Sequence, residues 1–242
     1  MAVPSDQRNA GPGLLGPLSL PADEKTRALT NDVMRAGFAV LAAQRAGFDF
    51  AAYDENHDGQ ITSDELLMLV FDNLNQQDSG AARWANPAGT GGAFKPDGSS
   101  VSFALQAGLM TQRVSFATLC HEFSHILGTK DLYGIWNVTC HNNGYTLMSC
   151  TITVADDRAS YQLDAWHKLQ LGWLEPRIRS LTAGGVETVP ATQSPATDAP
   201  VILYDPARGV SEFFLVENRT STSPWGAGYE DNLPSNGLGI WH

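Results

Sequence analysis

An α+β fold is expected for this chain, and three features of its 242 residues predict it. Phe116, Leu119, Cys120, Phe123, Ile126 and Leu127 recur at the three- and four-residue spacing of a helix with one buried stripe. Ahead of that helix, the apolar runs 66–71 and 101–105 have the length and composition of strands. Beyond Pro176, short β-like runs at 186–189, 201–204 and 212–216 alternate with turns at Gly184-Gly185 and Pro206-Ala207-Arg208-Gly209. A helix-and-strand portion followed by a β-rich C-terminal segment is expected.

Taken in order, residues 1–22 read as a flexible lead, because Gly11-Pro12-Gly13 and Gly16-Pro17 interrupt any regular element. From residue 23 to about 44, Leu29, Val33, Ala36, Val40 and Ala43 step by three and four, with Met34, Phe38 and Leu41 as a second apolar row. One helix with a wide buried face is expected there, although Gly37 within it costs roughly 1 kcal/mol against alanine. Residues 54–65 then read DENHDGQITSDE. Side-chain oxygens at positions 1, 3, 5 and 12, glycine at 6 and an aliphatic residue at 8 match a calcium-binding loop. Asp54, Asn56, Asp58 and Glu65 are the expected direct ligands, Gln60 offers its backbone carbonyl, and Gly59 supplies the bend. An Asp- and Gly-rich surface turn is the competing reading.

No second loop of this kind follows, and the run 66–71 suits a buried strand better than the exiting helix of a paired signalling module. The calcium is therefore expected to be structural. Residues 72–101, rich in Gly and Pro, read as a long loop, and 101–105 as a short edge strand.

The central helix takes Ser115 as its expected N-cap and ends at Gly128, where glycine turns left-handed without steric cost. Residues four apart share a helix face, so His121 and His125 can present two imidazole nitrogens to one metal ion about 2.0–2.1 Å away. Glu122 stands beside them, where a carboxylate can take a proton from an attacking water. Asp131 lies six residues after His125, at the place where the pattern HExxHxxGxxH puts its third ligand, here a carboxylate. A helix whose histidines are merely packed or solvated is the competing reading, and His141 is the competing third ligand.

Met148, 17 residues past Asp131, is the candidate for a methionine turn that supports such a site without ligating the metal, and an ordinary core methionine is the competing reading. Cys140 and Cys150 bracket that segment, which predicts a disulfide between them and leaves Cys120 buried on the helix; three free thiols are the alternative. Tyr133, Tyr145 and Tyr161 are equal candidates for a hydrogen bond to a developing oxyanion, with a purely structural role the favoured reading for each. Leu163, Trp166, Leu169 and Gln170 lie at helix spacing between residues 161 and 173, with Gly172 at the end.

The stretch HEFSHILGTKDLYG resembles the metal motif of the immune inhibitor A-like metallopeptidases, secreted zincins with the pattern HExxHxxGxxD. The likeness extends to GFDFAAYDENHDGQITSDE and to residues 147–149, 164–173, 213–219 and 237–242. It implies a zincin catalytic domain over 23–175, with the active-site helix under a mixed sheet and a calcium loop that lies beside that sheet and fixes the entry to a central strand. It also implies a β-rich segment over 176–242 packed on that domain. A catalytic zinc on His121, His125 and Asp131, Glu122 as general base, and Gly128 and Met148 as supports would act on protein or peptide substrates outside the cell. An extended substrate would add to the edge strand at 101–105.

Composition narrows the partners. A net charge of −11 with only 17% charged residues argues against a nucleic-acid or anionic-membrane binder, either of which needs clustered Lys and Arg. No run approaches the roughly 18 apolar residues of a membrane helix, and the lead lacks a basic-then-apolar layout, so a secretion signal is expected to have been removed or to lie outside the sequence. The end of the chain inside an apolar run reads as a truncation. The rival from another functional class is a calcium-dependent binding or surface module with a vestigial zinc site; the intact Glu122 and full ligand set argue against it.

Overall fold

The computed structural model describes residues 14–74, 80–111, 114–133, 144–149, 162–191, 200–221, 230 and 233–242. Among them the fold is mixed α+β, with four α-helices, three small sheets and no closed barrel. Two compact units are formed, Met1–Val114 with Glu122–Leu127 and Ser115–His121 with Gly128–His242. No helix among the described residues is long and apolar enough to cross a membrane.

In the first unit the single helix expected over 23–44 is two, α1 (Ala22–Ala28) and α2 (Asp32–Arg45). Asn31 causes the break. Its backbone is extended, and its side-chain oxygen accepts from the N–H groups of Val33 and Met34, so it caps a new helix instead of continuing the old one. Leu29, expected in the buried stripe, is half exposed at the junction. Gly37 is required where it stands, because a Cβ there would lie 2.1 Å from the Pro87 nitrogen. Gly37→Ala would stabilise an open helix by about 1 kcal/mol. Here it should destabilise the fold by roughly 1–3 kcal/mol through overpacking, and a thermal midpoint equal to or above that of the parent would refute the close approach.

A 3₁₀ turn at Phe50–Tyr53 leads into the acidic loop, followed by β1 (Gln60–Thr62), β2 (Met68–Phe71), β3 (Gly80–Trp84), β4 (Ser102–Ala104) and β5 (Gln106–Met110). The acidic loop thus feeds β1, which pairs in parallel with β4 in a two-stranded sheet. The second sheet has the order β2-β5-β3, parallel on one side of β5 and antiparallel on the other. Because β2 is an outer strand it is only half buried, with Phe71 exposed, not the fully buried strand its composition suggested. β3 falls in the stretch read as loop: Gly-Ala-Ala-Arg-Trp has no β-branched residue, and pairing with β5 supplies what local propensity lacks.

The core of this unit gathers Val40, Ile61, Phe103, Leu105 and Leu109, with Phe103 edge-on to Phe50. Leu15 and Leu18 pack against it, so the described part of the lead, from residue 14, is attached.

Helix α3 (Phe116–Ile126) follows β5. Ser115 caps it as expected, its hydroxyl accepting from the Thr118 N–H at 3.1 Å. Phe116 is exposed, so the buried stripe begins at Ala117. Gly108 in β5 makes room for neighbours on both sides: a Cβ there would stand 2.6 Å from Leu69 and 3.3 Å from Ile126 of α3.

The second unit holds α4 (Ala165–Gln170) and a sheet of order β6-β7-β8-β9, with β6 (Arg177–Ser180), β7 (Val201–Tyr204), β8 (Phe213–Arg219) and β9 (Gly237–Trp241). Two of the expected runs become β7 and β8. The run 186–189 does not form a strand: Val186 is 97% exposed, and Glu187 instead accepts from Arg177 and Arg179 of β6. That polar strand, Arg-Ile-Arg-Ser, escaped a reading based on apolar alternation. Asp164 caps α4, so the helix starts later than residue 161 and buries Ala165 and His167, while Gln170 is exposed.

Candidate metal centre

His121 and His125 stand one turn apart on α3, and Gly128, with φ of +100°, reverses the chain toward Asp131. His121 is buried, and its ring lies 2.7 Å from the Leu147 carbonyl through Nδ1. A carbonyl can only accept, so Nδ1 carries the proton and Nε2 is the nitrogen with a lone pair to give. That Nε2 is 3.2 Å from Asp131 Oδ1. Ligands about 2.0–2.1 Å from one tetrahedral zinc stand roughly 3.3 Å apart, so the pair has the separation a shared ion would set. Ligand atoms of His121, His125 and Asp131 all lie within 4.8 Å of one another, and this is the only such group among the described residues. Two imidazoles and one carboxylate are a donor set that zinc accepts.

Glu122 is half buried, and its Oε2 accepts the backbone N–H of Ala82 at 2.7 Å. Ala82 is opposite Gly108 in an outer strand, and the N–H that meets Glu122 points away from the β5 partner. This contact links residues 40 apart and was not visible in the sequence.

Met148 is wholly buried with Leu147 and Leu163, against Cys120, Leu132 and Leu171. It meets both sides of the ligand turn: the Thr129 hydroxyl donates to its sulfur at 3.5 Å and the Leu132 N–H to its carbonyl at 3.0 Å. The Tyr133 ring lies 6.4 Å from that of His121 and nearly parallel to it, whereas the Tyr145 hydroxyl pairs with Ser235. Burial raises the pKa of the Cys120 thiol above its ordinary value. The expected Cys140–Cys150 disulfide, the rival ligand His141 and Tyr161 lie outside the described residues.

Three residues absent from the sequence reading of the site lie behind it. Asp164 and His167 are fully buried, and Asp164 accepts from the Thr146 hydroxyl at 2.6 Å and from the His167 ring at 2.7 Å. Burial pushes the Asp164 carboxyl up, but the His167 and Thr146 hydrogen bonds outweigh it and hold the group below its ordinary range. The only local signal was Asp164 three residues before His167 at a helix start, which reads as an ordinary cap.

In the acidic loop the side chains fold onto their own backbone. Asp54 accepts from the N–H groups of Asp58 and Gly59, Asn56 from Asp58, Asp58 from Gln60, and Glu65 from Asn56 and Thr62. The turn is closed by left-handed residues His57 and Gly59. The Thr62 N–H leads the contacts that hold the Glu65 carboxyl below its ordinary range. All four oxygen-bearing side chains are thus engaged with the loop's own backbone, and Asp54, Asp58 and Glu65 do not form a metal-ligand group of the kind found on α3 and its turn.

No protein family, curated protein or solved structure matches the chain.

Proposed function

We propose that this chain is a secreted, zinc-dependent endopeptidase of the zincin type. The observation that carries the reading is the convergence of His121, His125 and Asp131 within 4.8 Å, with Glu122 on the same helix. Zinc held by the three would supply a Lewis acid that polarises a scissile carbonyl and acidifies water. Glu122 is the general base: Ala82 holds its Oε2, which leaves Oε1 to take the water proton and return it to the departing amine. Calcium in the 54–65 loop would hold together the turn that leads into β1.

The expectation that substrate adds at 101–105 is revised to β3. β4 is already bridged on its outer side, where Phe94 and Phe103 exchange backbone hydrogen bonds at 3.0 and 2.7 Å. β3 is the outer strand beside Glu122, and because Glu122 takes the Ala82 N–H and Arg83 the Ala82 carbonyl, an extended peptide reaching the base would pair with the β3 edge to either side of Ala82. Ala82→Pro removes one N–H that the ladder does not use. Losing a hydrogen bond to a charged group should lower kcat by about 10- to 100-fold with zinc content unchanged, while Ala82→Ser, which keeps the amide, should stay near the parent. An unaltered kcat in the proline variant would remove Ala82 from the mechanism.

The deciding test is casein hydrolysis by the purified protein with parallel metal analysis, after chelation and after separate return of zinc and calcium. The expected result is activity lost on chelation and restored by zinc, with calcium raising the thermal midpoint. Bound zinc without cleavage of any protein substrate would favour the calcium-dependent binding module, and absence of zinc would overturn the reading of α3.

A further inference from the structure

We propose that the buried chain Thr146–Asp164–His167 is a positioning device for Asp131, holding the third ligand in place through the peptide groups on either side of it. On one side, the Lys130 N–H donates to His167 Nε2 at 3.3 Å. That requires Nε2 to be the acceptor nitrogen, so the ring proton is on Nδ1 and is given to Asp164 Oδ2. Asp164 is in turn fixed by the Thr146 hydroxyl at 2.6 Å and by the His167 N–H at 3.0 Å. On the other side, the Leu132 N–H donates to the Met148 carbonyl, and the Met148 N–H donates to the same Thr146 hydroxyl at 3.2 Å.

Both flanks of Asp131 therefore lead back to Thr146. This matters because Asp131 is exposed and lies on a turn past the helix end, where holding one conformation costs entropy that a ligand on α3 has already lost. Asp164 and His167 are 0% exposed, and a buried carboxylate persists only when paired and fully hydrogen-bonded. A residue serving only to fill space at position 167 would need neither the carboxylate nor the Nε2 acceptor.

The inference rests on the zinc reading above, and its test separates the two. Zinc affinity of the full chain is measured by competition with a chromophoric chelator, with thermal unfolding of the zinc-free protein followed in parallel. His167→Leu should weaken zinc binding about 10- to 100-fold, the range for loss of an outer-sphere partner. His167→Gln, whose amide oxygen can still accept from Lys130, should recover much of the loss. In an Asp131→Ala background, His167→Leu should cost nothing further. Should leucine at 167 prevent folding, Thr146→Val serves in the same comparison. Parent-like affinity in the His167 or Thr146 variant, or an equal loss with Asp131 already removed, overturns the proposal. Absence of zinc binding by the parent instead overturns the metal reading on which it stands.

Discussion

Glu122→Gln is expected to lower kcat by about 10²- to 10⁴-fold while zinc content stays at the parent level. The amide keeps the shape of the carboxylate and an oxygen able to accept from the Ala82 N–H, so β3 and α3 need not move. Neither the His121 contact to Leu147 nor the 3.2 Å approach of His121 to Asp131 involves position 122. What the variant lacks is a group that can take a proton, and only the chemical step should suffer. Asp131→Ala has the opposite signature: metal is lost first, and activity with it. Steady-state kinetics on a peptide substrate beside metal analysis distinguishes the two, and near-parental turnover by the glutamine variant would sink the assignment of the base.

The elements that were legible in the sequence are those whose physics is local. Helix spacing placed His121 and His125 on one face, Gly128 marked the turn, and the 54–65 loop follows from oxygen-bearing side chains that cap backbone N–H groups within the same short loop. The single helix over 23–44 failed on a local rule given too little weight: Asn31 is a good cap, and a good cap can start a helix inside an apolar pattern. Gly37 looked like a cost because its partner, the 86–87 backbone, is remote in sequence. β3 and Ala82 were missed for the same reason, since their structure comes from β5 and Glu122. The Thr146–Asp164–His167 chain was beyond pattern reading altogether: Lys130 and His167 are 37 residues apart and carry no shared periodicity.

Arg219→Met should destabilise the fold by about 3–5 kcal/mol, because it strands two buried carboxylates. Glu217, Arg219 and Glu230 are all at most 3% exposed. Arg219 donates to Glu217 at 3.2 Å and to Glu230 at 2.7 Å, and Glu217 also accepts from Trp241 of β9 and from the Ala165 N–H at the start of α4. Methionine fills much of the space but returns neither the charge nor the donors. Burial pushes the Glu230 carboxyl above its ordinary value even with Arg219 pulling it down. A raised folded-state pKa means that the folded protein holds the proton longer than the unfolded chain, so stability falls as pH climbs from the unfolded value through the folded one. Without the arginine that window widens upward. The deficit of the variant, read as the change in urea midpoint, should therefore be larger at about pH 8 than at about pH 5. Adding Glu217→Gln and Glu230→Gln should recover much of it, since the uncompensated charge and not the lost packing carries the cost. A deficit independent of pH and untouched by the two glutamines would show instead that the arginine acts through its packing alone.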